Sequence, residues 1–154
     1  MLPVTEDTLR IALHVFAATI WVGGQAVLAG VVPMVRPLGH DVVASVARRF
    51  QTAAWPAYAV LLATGVWNLF ARGWADATSE WQATVMAKLG LVALSGMGAF
   101  GHILVGARLR SALAAGTDPD EPAARRLRAL SGSAAALGLV AGLGALFLGV
   151  LLRG

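Results

Sequence analysis

The chain of 154 residues is 58% hydrophobic and only 13% charged, with a mean hydropathy of +0.73, a balance that excludes an ordinary soluble domain. The absence of cysteine excludes disulfides, thiolate metal sites and c-type haem attachment. The formal charge of +4 comes from basic residues that flank long uncharged runs, so it reads as membrane topology rather than nucleic-acid binding.

Those runs are residues 11–35, 50–71, 89–107 and 129–152. As helices, each can cover a hydrocarbon core of about 30 Å. The expected fold is all-α: a polytopic integral membrane four-helix bundle, one domain over 1–154, with helices at about 9–34, 49–70, 81–107 and 127–152. A short polar lead offers Thr5 or Thr8 as a cap for helix one, which reads as a retained helix rather than a signal peptide. Pro33 ends or bends that helix. Residues 37–49 follow as a segment lying partly along the cytoplasmic surface, with Asp41, Arg48 and Arg49 polar against Val42, Val43 and Val46. Pro56 predicts a kink or an opened turn in helix two.

The loop after helix two carries Trp74, Asp76 and Glu80. With Trp67 and Trp81 it reads as an aromatic belt. Helix three continues past its apolar run into Arg108 and Arg110, and GTDPDEP over 116–122 is a surface turn. Arg125, Arg126 and Arg128 then precede helix four. Eight arginines in loops one and three stand against Arg10, Arg72 and Arg153 on the opposite side, which places both termini outside the cytoplasm. Glycine is spaced for close helix packing. Gly138 and Gly142 on helix four provide a face for packing within the bundle or for a homodimer.

Polar residues inside such helices are the candidate functional groups. His14 lies roughly 8 Å inside the outer start of helix one. Lys88 and Asn68 fall near the same level, with Thr64 one turn deeper, so the group can converge on an outer-leaflet cavity. Lys88 alternatively snorkels to the surface. His102 lies about 21 Å along helix three from Lys88, level with Gln25, Met34, Arg49, Gln51 and Trp55 of helices one and two. His40 belongs to the loop and is expected to face solvent. Two cofactors suit these residue types. Copper takes imidazole and thioether, which makes His14, Met86 and His102 candidate metal ligands. Haem b takes an axial histidine, His14 or His102, with Arg49, Lys88 and Asn68 as polar partners for its propionates.

At these residues the chain resembles the CopD-type copper-resistance membrane family and, more distantly, the HemJ-type protoporphyrinogen oxidase family. The likeness runs through Leu13-His14, Trp21-Val22-Gly23-Gly24, Pro33 with Arg36, Arg49-Phe50, Thr64-Gly65, the stretch from Trp81 to Lys88-Leu89, and His102. The first resemblance implies copper uptake or delivery across a bacterial-type inner (plasma) membrane, with a copper-delivery protein as partner. The second implies haem b binding and protoporphyrinogen oxidation, with an electron-transfer partner. A cofactor-free structural subunit of a membrane complex is the third reading. In all three the chain is multi-pass, meets membrane lipid and binds no nucleic acid. Enzymatic activity stays open.

Overall fold

A computed structural model describes residues 4–75 and 77–152. Asp76 of the loop after the second span and Arg153 of the topology argument lie outside the described residues, as does the side chain of His40. All regular structure among the described residues is helical: α1 (Glu6–Ala18), a π-helical turn (Thr19–Gly23), α2 (Gly24–Val35), a 3-10 turn (Arg36–Leu38), α3 (His40–Arg72), α4 (Ser79–Ala114) and α5 (Pro122–Leu151). Four stretches are long and apolar enough to cross a membrane: Glu6–Leu38, Asp41–Arg72, Ser79–Ala114 and Pro122–Leu151. Large apolar side chains such as Phe16, Phe70, Phe100 and Phe147 face outward. Helices apolar on all sides suit lipid as the solvent.

The elements begin and end for local reasons. Thr5 caps α1, its hydroxyl accepting from the Thr8 amide at 3.2 Å, while Glu6 and Asp7 meet the positive end of the helix dipole. Gly39, at φ 114°, breaks the chain between the 3-10 turn and α3, and Gly73, at φ 76°, ends α3. Both angles are costly for residues with a Cβ. Ala112 and Leu113 accept from the amides of Thr117 and Gly116, a Schellman ending for α4. Pro122 opens α5.

The start of the second span differs from the sequence expectation. The segment expected along the cytoplasmic surface is instead the first part of α3, which starts at His40 and runs unbroken through Pro56. Pro33 sits near the end of α2, which closes at Val35, within a residue of the expected end at about 34. The π turn in the first span was not anticipated. It adds a residue to one turn and buries Trp21 and Val22.

The chain divides into two compact units, Met1–Gln82 and Ala83–Gly154. In the first, α1 and the π turn pack antiparallel on α3, and the buried positions there are mostly small: Ala17, Ala18, Ala54 and Ala57, with Leu61 and Trp21. Small residues let backbones approach where lipid supplies no hydrophobic drive between helices. Just past the π turn, a methyl on Gly24 would sit 2.2 Å from Phe50 Cε2. Gly24→Ala is therefore expected to destabilise the α2–α3 contact by about 1–3 kcal/mol. Phe50→Leu in the same chain should recover most of that loss in thermal unfolding of the detergent-solubilised protein.

In the second unit, α4 and α5 form an antiparallel hairpin whose seam is nearly all glycine, alanine and serine. Ser95, Gly96 and Gly98 are buried on α4, and Ser131, Gly138, Ala141, Gly142 and Ala145 on α5.

Candidate polar site on the first hairpin

Helical spacing builds this site. Asp7, Arg10 and His14 recur three and four residues apart on α1, and Thr64 and Asn68 four apart on α3. Side chains at these spacings share a helix face. In the antiparallel pair Arg10 meets Asn68, and one turn deeper His14 meets Thr64.

Arg10 is buried, although the sequence reading used it only as a topology marker. Its Nη1 donates to Asn68 Oδ1, and its Nη2 pairs with Asp7 Oδ1 at 2.6 Å. Its Nε is buried without a hydrogen-bond acceptor. A guanidinium inside a span is costly unless its protons find acceptors. Here two of its nitrogens do, and the third does not.

His14 is half-buried, and its Nδ1 lies 2.8 Å from Thr64 Oγ1. The Thr64 hydroxyl donates its one proton to the Val60 carbonyl at 2.7 Å. It must therefore accept from His14, which puts the imidazole proton on Nδ1 and the ring lone pair on Nε2. A hydrogen bond that fixes the tautomer in this way is typical of metal-ligating histidines. The neighbouring Gly65 lies beside the ring, where a methyl would make an ordinary 3.5 Å contact with His14 Cε1. Deeper along the seam, Trp21, Trp55 and Tyr58 form a closed aromatic cluster, the Trp21 and Tyr58 ring centres being 4.3 Å apart.

The remaining sequence candidates fall elsewhere. Arg49 is exposed on α3. At the α3–α4 connection, Arg72 lies 5.5 Å over the Trp81 ring, and Trp81 stacks edge-on with Trp74 at 6.1 Å. Lys88 belongs to the second unit. It reaches the last turn of α5, where a methyl on Gly149 would lie 3.0 Å from its Nζ. That places the ammonium at the negative end of the α5 dipole. His102 bonds across its own hairpin: its Nδ1 is 3.0 Å from the Ser131 carbonyl and 2.9 Å from Ser131 Oγ. The carbonyl can only accept, so Nδ1 of His102 is protonated as well. Depth along the helices did not single out this Ser131 partner on α5.

Among the described residues no three His, Asp or Glu side chains gather into a metal-binding group. Met34, Met86 and Met97 are 76%, 58% and 63% exposed, so their thioethers point away from the packed seams. Within the first unit, the donor set suits one imidazole contact with a passing soft cation better than a closed metal cage.

Four span-length helices with a buried polar seam define a multi-pass α-helical membrane protein. Residues 44–152 match the family described as copper resistance protein D, and the chain belongs to that family. The matched region runs from the beginning of α3 to the end of α5 and includes Asn68, Lys88 and His102; Arg10 and His14 precede it. No curated protein and no solved structure gives a significant match.

Proposed function

We propose that the protein handles copper in a bacterial-type inner (plasma) membrane, in uptake or delivery, with both termini outside the cytoplasm and a copper-delivery protein as partner. Family membership supports copper, and the arginine distribution supports the orientation. The observation that carries the site is the Thr64 bond that leaves the lone pair of His14 on Nε2. Copper is cargo here, and cargo must bind weakly enough to leave. A single imidazole with a buried guanidinium one turn away meets that requirement. The ring attracts soft Cu(I), and Arg10 opposes retention of any cation. Met86 and His102 remain further candidate contacts along the route.

The test is Cu(I) competition against a chromophoric chelator, using the metal-free, detergent-purified protein. His14→Ala is expected to abolish the tightest site. Thr64→Val, which removes the tautomer-fixing oxygen, is expected to weaken it about 10-fold. Wild-type affinity in both variants would overturn the assignment.

A second reading has one specific observation in its favour. The buried Arg10, with its Nε proton lacking an acceptor, lies one turn from His14. An arginine beside an axial histidine suits haem b and its propionates. The optical spectrum of the same preparation separates the readings. A stoichiometric Soret band with iron would put haem first. A colourless protein that takes up no copper and copurifies with another membrane protein would favour a structural subunit.

A further inference from the structure

We propose that the arginine end of the α4–α5 hairpin is a binding site for the phosphate headgroups of anionic phospholipids. Arg108 and Arg110 close α4, Arg125, Arg126 and Arg128 open α5, and all five are exposed. Gly98 packs on Gly138 and His102 bonds Ser131. The same antiparallel register, carried toward the connecting loop, brings Arg108 level with Arg128 and Arg110 level with Arg125. The five arginines therefore lie near one level of the hairpin, at the ends of two apolar runs.

Nearby carboxylates form no ion pair with this cluster. The connection carries Asp118, Asp120 and Glu121, yet among the described residues no ion pair joins them to these arginines. Asp118 Oδ1 instead accepts from the Asp120 amide at 2.8 Å, within the loop. Arg128 donates to the Pro119 carbonyl at 3.4 Å.

Arg110 gives the cluster its depth. An arginine at the end of a span normally snorkels outward to water. Arg110 folds back along α4 instead. A methyl on Gly106 would lie 3.5 Å from its Nη1 and 3.8 Å from Ser131 Oγ. Both are ordinary contact distances, so Gly106 leaves a shallow notch beside the guanidinium, one turn from the exposed His102 and at the edge of the apolar segment. Lipid phosphates sit at that boundary, and a guanidinium fork matches two phosphate oxygens at once. A water-facing partner such as nucleic acid or an acidic protein would not need the charge set back toward the hydrocarbon. Clustered basic residues beside a span are the usual means of recognising anionic lipid.

The site does not depend on the copper reading, and its test is made without copper. The protein is placed in nanodiscs of phosphatidylcholine with a rising fraction of phosphatidylglycerol of the same chain length. Lipids retained through detergent exchange are then counted by native mass spectrometry. Wild type is expected to retain phosphatidylglycerol selectively, and Arg108→Gln with Arg110→Gln to lose about fivefold in selectivity per arginine removed. Gly106→Leu keeps every charge and fills the notch, so it should lower selectivity by displacing Arg110. Arg125→Gln with Arg126→Gln reports on the α5 side if either α4 variant fails to fold. Equal retention of both lipids by wild type would overturn the proposal. So would undiminished selectivity in every folded variant, full competition by inorganic phosphate alone, or preferential capture of a nucleic acid or acidic protein.

Discussion

Replacing Gly98 by alanine is expected to disrupt the α4–α5 hairpin. The new Cβ would stand 2.7 Å from the Ala134 carbonyl oxygen and 2.7 Å from Gly138 N and Cα. All three are backbone atoms of a helix, so no side-chain rotation relieves the clash. The helices must separate, and the contacts of Ser95, Gly138 and Ala141 loosen together. Overpacking a tight interface costs about 1–3 kcal/mol, and this interface has no soft side chain to absorb the strain. Two glycines of the same helix serve as controls. A methyl on Gly90 meets nothing within 4 Å, and one on Gly101 makes an ordinary 3.7 Å contact with Ala134 Cβ. Gly90→Ala and Gly101→Ala should stay within about 1 kcal/mol of wild type or gain from helix propensity. Unfolding in mixed micelles ranks the three. If Gly98→Ala proves as stable as Gly90→Ala, close backbone packing does not hold this hairpin together.

What the sequence reveals follows from how much of each feature is carried along the chain rather than around it. The four spans were readable because lipid demands long uncharged runs, and such runs survive any rotation of the helix. The Thr5 cap and the GTDPDEP turn were readable because both are local chemistry. The π turn was not: Thr19–Gly23 reads TIWVG and holds no breaker that distinguishes it from the α-helix on either side. Nor was the early start of α3, because residues 40–48 mix polar and apolar groups as an interfacial segment does. Rotation decided the site. His14, Thr64 and Asn68 were identified by depth, but depth alone could not tell that Asn68 faces Arg10. Arg10 looked like a flanking charge because it stands at the edge of the apolar run. Its spacing from Asp7 and His14 was the available signal, since all three occupy one helical face. For His102, antiparallel depth offered residues from several helices, and only the register of α4 on α5 selects Ser131.

Asn68→Ala is expected to be the most damaging change on the first hairpin, and Arg10 explains why. Alanine at 68 removes the acceptor of Arg10 Nη1 and leaves a buried cation held only by its bond to Asp7. A hydrogen bond to a charged group contributes about 1.5–3 kcal/mol, and stranding the donor in a dry seam falls at the upper end. Asp7→Asn should cost less, about 1 kcal/mol at most, because Asp7 is 74% exposed and water can take its place. If the loss in Asn68→Ala comes from the stranded charge, removing that charge should reverse it. Arg10→Leu with Asn68→Leu replaces both partners by apolar groups that cannot ligate copper and is expected to recover most of the stability. Copper affinity should follow a different order. Asn68→Ala loosens the seam one turn from His14 and lowers Cu(I) affinity together with stability. The double variant restores the seam but lacks the guanidinium, so its Cu(I) affinity should exceed that of wild type. Restored stability with affinity no higher than wild type would mean that Arg10 anchors α1 to α3 without opposing retention of the cargo.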